Sequence, residues 1–391
     1  MKPESLDAKS VFAEALEKPD AEERAVYLDR VCGKDTALRS EVESLLISYD
    51  QAEGFLPSPD LNQAVTLDSA ALVEGPGTVM VRYKLLEKIG EGGMAVVYMA
   101  EQQEPIRRKV ALKIIKLGMD TRQIIARFEA ERQALALLDH PNIAKVFDAG
   151  ATETGRPYFV MELVRGVTLT EYCDQNRLDT RQRLGLFVQV CRAVQHAHHK
   201  GIIHRDLKPS NVMVTMHDDK PVPKVIDFGI AKATNQRLTE KTLFTRYAQM
   251  IGTPAYMSPE QAQMSGLDVD TRTDIYSLGV LLYELLTGTT PSESHTLQQA
   301  GYAEIERIIR ETDPPRPSTR LRNLGQHLTD VAQGRHTSGD ALRKLIRGDL
   351  DCIAMKCLEK DRARRYETAH GLASPQRRSS FNNEIPGMSK A

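Results

Sequence analysis

One short polar stretch holds side chains of the kinds that carry out chemistry. It runs from Ile203 to Asn211, and Asp227 follows sixteen residues after Asn211. Phosphoryl transfer needs a carboxylate that orients the attacking hydroxyl, a cation near the moving phosphoryl group and two oxygen ligands for Mg2+. Asp206, Lys208, Asn211 and Asp227 supply these groups in that order. The alternative, a plain polar loop at the end of a helix, does not explain why further motifs flank it in a matching order.

Those further motifs establish a resemblance. The run from His204 to Asn211, with Asp227-Phe228-Gly229 after it, resembles the catalytic loop and metal-binding segment of protein kinases. From Tyr83 to about Ala373 the chain is similar to the bacterial serine/threonine protein kinases of the eukaryotic-like (Hanks) type. Lys208, two residues after Asp206, together with Thr253 matches the pattern of serine/threonine rather than tyrosine kinases. Small-molecule kinases of related fold are the lesser alternative, because they typically lack the segment Ser258-Pro259-Glu260.

The resemblance implies the fold class and the domain boundaries. We expect an α+β, two-lobed protein-kinase fold at residues 83–373, with a small β-rich N-lobe at 83–163 and a larger helical C-lobe at 164–373. A small helical N-terminal unit (1–53) precedes it, and Gly and Pro mark 54–80 as a flexible linker.

The N-lobe motifs predict a nucleotide site. A glycine-rich loop lies between two strand-like runs, whereas a dinucleotide-binding fold would begin a helix there. Glycines let backbone N–H groups approach phosphate oxygens, although Ala95 stands where the family pattern has a third glycine. The residues expected at the nucleotide are Ile89, Gly90, Glu91, Gly92, Gly93, Met94, Ala95, Val96, Val97, Ala111, Lys113, Met161, Glu162 and Val164.

The resemblance also assigns roles to individual side chains. Lys113 should contact the α- and β-phosphates of ATP, with Glu131 as its ion-pair partner and Glu129 as the competing choice. Asp206 would orient the substrate hydroxyl and Lys208 would stabilise charge on the phosphoryl group. Asn211 and Asp227 would hold Mg2+.

A polar segment before Ser258 resembles a kinase activation segment. Arg205 stands where the family uses an arginine to receive a phosphorylated residue, so we predict regulatory phosphorylation at Thr242 or Thr245. Structural roles are implied for Thr253 in the substrate-docking loop, for an ion pair between Glu260 and Arg365, and for Asp274. Asp274 would anchor the catalytic loop, and ordinary capping of a helix is its alternative role.

Composition limits the partners and the compartment. Lys+Arg 52 against Asp+Glu 53 gives a net charge of -1, so no global field favours nucleic acid or an anionic membrane. The 5 cysteines lack CxxC spacing, and no run of about 18 apolar residues exists to span a membrane. We therefore expect a cytoplasmic protein, and the resemblance to protein kinases implies that its substrates are proteins with Ser or Thr hydroxyls.

The ends of the chain carry weaker predictions. Asp20 and Glu23 favour a helix that continues through Val31, and the unit at 1–53 is either a cap on the larger domain or a docking site for a partner. Pro375 should end the last helix, which leaves 374–391 as a disordered tail and suggests a shortened or diverged member of the family.

The functional prediction is a serine/threonine protein kinase that transfers the γ-phosphate of ATP to protein hydroxyls and is regulated by autophosphorylation of its activation segment. The alternative is a pseudokinase, which would bind ATP as a scaffold without turnover.

Overall fold

The computed structural model describes residues 21–32, 39, 74–92, 95–116, 138–152, 155–228, 254–263, 269–292 and 302–374. The chain divides into two compact units, residues 1–71 and 72–391.

The N-terminal unit contains the helix that the sequence predicts. Helix α1 spans Ala21–Cys32, and it ends just before Gly33. Tyr27, Leu28 and Cys32 of this helix are buried.

The second unit begins with an antiparallel sheet of six strands in the order β1-β2-β3-β4-β6-β5. β-Branched and aromatic residues dominate its inner face, as is typical of strands that pack on one side. The strands are β1 Val79–Met80, β2 Tyr83–Glu91, β3 Ala95–Gln102, β4 Arg108–Ile115, β5 Val146–Ala151 and β6 Pro157–Glu162.

The predicted linker, 54–80, extends too far, because residues 74–80 contact the strands of the small lobe. β1 pairs with β2, and the N–H of Gly77 donates to the carbonyl of Leu85 at 2.8 Å. Glu74 is buried and forms an ion pair with Arg156, next to β6. A buried carboxylate needs such a partner, so this part of the predicted linker is built into the small lobe.

The larger lobe is mostly helical. Its second sheet contains β7 Val167–Thr168, β8 Val212–His217 and β9 Lys220–Val225, in that order. The helices described there are α2 Leu169–Gln175, α3 Thr180–His199, α4 Pro259–Ala262, α5 Thr271–Thr287, α6 Tyr302–Glu311, α7 Pro317–Asn323, α8 His327–Gln333, α9 Gly339–Ile346, α10 Asp349–Cys357 and α11 Ala369–Ala373.

Helix α5 is the centre of this lobe. It is apolar on almost every side, which is the pattern of a helix enclosed by others. Gly279 allows α10 to approach closely, because a Cβ at this position would lie 2.4 Å from the Cβ of Cys357. The helix therefore offers a rigid, buried base from which Asp274 reaches the catalytic loop.

Candidate active site

The catalytic loop is fixed by one buried carboxylate. Asp274 is 0% exposed. It accepts hydrogen bonds from the backbone N–H groups of His204 and Arg205, each at 2.8 Å, and from Nε2 of His198 at 2.7 Å. Burial acts to raise the pKa of Asp274, but the bond from His198 and the neighbouring charges and donors outweigh burial, and the pKa lies below its usual value.

The capping role considered for Asp274 belongs to another residue. Asp270 is the N-cap of α5, where its side chain accepts from the N–H of Arg272 at 2.7 Å. Asp274 lies one turn further along and is directed at the loop. The anchoring contact expected from the sequence is therefore present.

His204 supports the loop from inside. The ring is fully buried, and burial lowers its pKa. Its Nδ1 accepts from the N–H of Asp206 at 3.3 Å, and its Nε2 donates to the carbonyl of Ile226 at 3.0 Å. A ring that accepts at one nitrogen and donates at the other is neutral. The ring thus links the loop to the residue before Asp227.

The three polar side chains of the loop converge. Nζ of Lys208 lies 3.0 Å from Oδ2 of Asp206. Nδ2 of Asn211 donates to the carbonyl of Asp206 at 2.8 Å and to its Oδ2 at 3.2 Å. The amide nitrogen of Asn211 is thereby occupied, which orients its Oδ1 away from Asp206 and makes that oxygen available to a cation.

Asp227 is delivered to the same place by β9. The N–H of Ile226 donates to the carbonyl of Asn211 at 2.9 Å, so Asp227 follows directly after a residue bonded to the loop. The carboxylate of Asp227 forms an ion pair with Lys113 on β4. Side chains from β4, the catalytic loop and the end of β9 therefore meet at one site.

The backbone at this site is strained at two positions. Arg205 has a φ of 64° and Asp227 a φ of 61°, both in the left-handed region that non-glycine residues seldom adopt. Such residues persist only where the surroundings hold them, and they concentrate at functional sites. Here the bonds to Asp274 and Asn211 hold the backbone beside them.

The glycine-rich loop joins β2 to β3 as a hairpin. Gly90 pairs with Val97, and Gly92 donates to the carbonyl of Ala95 at 2.9 Å. Glu91 lies on the surface between two lysines: its carboxylate is 2.7 Å from Nζ of Lys116 and 2.8 Å from Nζ of Lys88. The hydrogen bond from Lys116, and after it the one from Lys88, lowers the pKa of Glu91 to about 2.

Strand pairing places the other predicted nucleotide residues along the sheet. Lys113 pairs with Val97 on one side, and Ala111 pairs with Met161 on the other. Val110, Leu112 and Ile114 are buried, whereas Lys113 is half-buried. Val96 is buried and Ile89 is exposed.

The connection between the lobes begins at Glu162, the last residue of β6, and includes Val164. Gly166 is required there, because a Cβ at this position would lie 1.9 Å from the carbonyl oxygen of Val214. The connection therefore runs in direct contact with β8.

The predicted ion pair of the larger lobe is present. Both terminal nitrogens of Arg365 donate to Glu260, at 2.7 and 2.8 Å, and both side chains are buried. Ser258, where the family more often has alanine, is the N-cap of α4. Gln261 on α4 donates to the carbonyl of Arg205 at 2.8 Å, which connects this segment to the catalytic loop.

Several predicted residues lie outside the part of the chain that the structure describes. They are Gly93, Met94, Glu131, Thr242, Thr245 and Thr253. The tail from 375 onwards lies outside it as well.

Sequence reasoning missed three contacts. Nε2 of His198 bonds to the carboxylate of Asp274 at 2.7 Å. Thr273 donates to Glu260 at 2.8 Å, and Lys224 lies 2.9 Å from the carboxylate of Glu162. No local pattern signals these contacts, because the partners are distant in the sequence or belong to different elements.

Comparison with known proteins agrees with this geometry. A family model described as a protein kinase domain matches residues 83–375. The chain belongs to the protein kinase family. It is similar to the serine/threonine-protein kinase PknB of Mycobacterium leprae, with 35% identity over 294 residues, which are 74% of this chain and 41% of the relative. PknB of Mycobacterium tuberculosis is 35% identical over 300 residues, 75% of this chain and 42% of the relative.

This chain thus spans less than half the length of these relatives. Among solved structures, the kinase domain of PknI from Mycobacterium tuberculosis has a TM-score of 0.56 at 23% identity, over 79% of this chain and 99% of that one. At this identity the likeness shows the fold, which is the predicted two-lobed kinase fold. Within the ranges described above, none of the helices is both long and apolar enough to cross a membrane.

Proposed function

We propose that this protein is a serine/threonine protein kinase that transfers the γ-phosphate of ATP to hydroxyl groups of proteins. The observation that carries the proposal is the convergence of Asp206, Lys208 and Asn211 on one loop, with the Lys113–Asp227 pair attached to it through Ile226. Phosphoryl transfer is catalysed mainly by positioning and by electrostatic stabilisation, and these groups serve both purposes.

Each side chain has a role that its surroundings support. Asp206 orients the attacking hydroxyl, while Lys208, 3.0 Å from it, stabilises negative charge on the transferred group. Lys113 binds the α- and β-phosphates, and we assign Glu131 as its partner during catalysis. The glycine-rich loop covers the phosphates, and the backbone around Glu162 and Val164 contacts the adenine.

The donor set fits Mg2+. Mg2+ prefers oxygen ligands from one or two protein side chains together with phosphate oxygens. Asn211 has its Oδ1 available, since its nitrogen donates to Asp206, and Asp227 supplies a carboxylate. When bound, Mg2+ would neutralise charge on the β- and γ-phosphates.

Phosphotransfer by purified protein tests the proposal. With Mg2+, labelled ATP and a generic protein substrate, we expect label on serine or threonine. Lys113→Met and Asp206→Asn should each reduce the rate by about 100-fold or more, because each removes electrostatic positioning without removing core volume. Activity above roughly a tenth of wild type in either variant would contradict the assignment.

The second part of the proposal is regulation by autophosphorylation. Nε of Arg205 is buried and has no hydrogen-bond partner in the described portion of the chain. A phosphate on Thr242 or Thr245 would supply oxygen acceptors for this guanidinium and order the activation segment. Thr253 would belong to the substrate-docking loop that follows.

Mass spectrometry after incubation with ATP should locate this phosphate on Thr242 or Thr245. The double variant Thr242→Ala, Thr245→Ala should be slower than wild type. If it works at the full rate, this switch is not in use.

Protein partners and location complete the proposal. The helical unit at 1–53 is a docking site for a partner, to be tested by comparing partner binding with and without it. The cysteines lack CxxC spacing, and Cys173 and Cys352 are free thiols, which supports a reducing compartment such as the cytoplasm.

A further inference from the structure

An ion pair connects the segment that would bind adenine to the strand that carries Asp227. Nζ of Lys224 lies 2.9 Å from each carboxylate oxygen of Glu162. The side chains of Lys224 and Glu162 are 15% and 29% exposed, so the pair is largely withdrawn from water. At such a depth a charge pair is screened much less than on the surface.

Glu162 is also held by Lys145, which lies just before β5. Its Oε2 also accepts from the backbone N–H of Lys145 at 3.3 Å, and its own N–H donates to the carbonyl of Lys145 at 2.8 Å. The carboxylate therefore has partners from the segment before β5 and from β9. Its position fixes the end of β6, where the connection between the lobes begins.

Lys224 stands on a part of β9 that is clamped on its other edge. Val225 donates to the carbonyl of Asn142 at 2.8 Å, and Nδ2 of Asn142 donates to the carbonyl of Pro223 at 2.8 Å. Only two residues separate Lys224 from Asp227, so the chain between their Cα atoms spans about 11 Å at most. A displacement of Lys224 along or across the strand would therefore also displace Asp227.

We propose that Lys224 is a positioning residue for the nucleotide: by binding Glu162 it sets the distance between the adenine contacts and the carboxylate of Asp227. The two ends of one ATP molecule are then bound by groups in fixed register. This inference rests on the proposed function, because it assumes that ATP lies between Glu162 and Asp227. Lys224 touches neither the nucleotide nor the reacting atoms.

The consequence is a change in ATP affinity with little change in the chemical step. Lys224→Met keeps the length of the side chain and removes its charge. We expect it to raise the KM for ATP and the directly measured Kd for Mg-ATP roughly fivefold or more, with kcat within about twofold of wild type. Lys224→Arg retains the charge and should restore most of the affinity.

Two matched comparisons separate this role from a general loss of stability. Lys145→Met removes a neighbouring lysine whose side chain pairs with the surface residue Asp139, while its N–H bond to Glu162 survives. It should leave the KM and Kd unchanged. Glu162→Gln should weaken ATP binding as Lys224→Met does, and the double variant should be no worse than the weaker-binding single variant.

The experiment uses the full chain. Calorimetry measures the Kd for Mg-ATP, steady-state assays measure KM and kcat, and thermal unfolding without nucleotide monitors folding. A KM and Kd for Lys224→Met within twofold of wild type, or a loss of affinity that Lys145→Met shares, would overturn the inference. So would strictly additive effects in the double variant. If the wild type binds Mg-ATP but transfers no phosphate, the proposed function fails, while the binding data still decide the role of Lys224.

Discussion

The two halves of the site are held in place by different means. In the larger lobe, Asp274 is fully buried and accepts three hydrogen bonds, two from the backbone of the catalytic loop and one from His198 on α3. In the smaller lobe, Glu91 of the glycine-rich loop lies on the surface between Lys88 and Lys116. Exposed ion pairs contribute little to stability, whereas buried polar groups are costly to leave unpaired. The groups assigned to chemistry are thus rigidly placed, and the loop assigned to cover the nucleotide is attached loosely.

The largest effect should come from the buried ion pair below the site. Arg365→Met leaves the Glu260 carboxylate buried without its charged partner, which should lower the free energy of unfolding by about 3–5 kcal/mol. Arg364→Met is the matched control, because the side chain of Arg364 is exposed and 3.3 Å from Glu359. Denaturant unfolding of both variants measures the difference. Equal stabilities of the two variants would show that burial does not decide how much an ion pair contributes.

The anchor of the catalytic loop comes next. Asp274→Ala strips two backbone N–H groups and His198 of their acceptor, so we expect a loss of about 3 kcal/mol. Asp270→Ala on the same helix removes an N-cap and should cost about 1 kcal/mol. The same unfolding measurement compares them. The anchoring role is wrong if Asp270→Ala proves the more damaging.

The pH dependence of stability should reflect His204. Burial lowers the pKa of this ring in the folded protein. Below the unfolded-state value of about 6.5, the unfolded chain therefore binds more protons than the folded chain. The contribution of His204 is complete above that pH and is lost as the pH falls below it, by at most about 1.4 kcal/mol per pH unit.

His204→Phe isolates this contribution. The variant should be less stable than wild type at pH 7.5, because two hydrogen bonds are lost. It should then lose less further stability between pH 7.5 and 5.5, since it cannot bind the proton. Parallel slopes for the two proteins would exclude His204 as the titrating group.

The smallest effect should come from the glycine-rich loop. Glu91→Gln removes both surface ion pairs, yet Glu91 is exposed, and we expect no resolvable change in the thermal midpoint. Raising the salt concentration should likewise produce no resolvable difference in thermal midpoint between Glu91→Gln and wild type. A clear loss of stability would mean that the two regions are held in the same way.

The sequence predicts the site better than it predicts the supports of the site. The order of Asp206, Asn211 and Asp227 is carried by short motifs, so their meeting could be foreseen. The bond from His198 to Asp274 crosses 76 positions, and nothing near either residue announces it. β1 is only 2 residues long and follows a Gly- and Pro-rich run, a composition that is typical of linkers. The structure shows that Met80 and Glu74 are nevertheless buried.

Asp206→Asn tests the proposed catalytic role of Asp206 most sharply when the affinity for Mg-ATP and the rate of phosphate transfer are measured on the same preparation. We expect this variant to bind Mg-ATP with an affinity within about threefold of wild type and to transfer phosphate to protein hydroxyls at least about 100 times more slowly. Loss of transfer with retained binding is what a residue used for chemistry should show. If wild type and Asp206→Asn bind Mg-ATP equally and both fail to transfer phosphate, the protein is an ATP-binding scaffold and the catalytic account is contradicted.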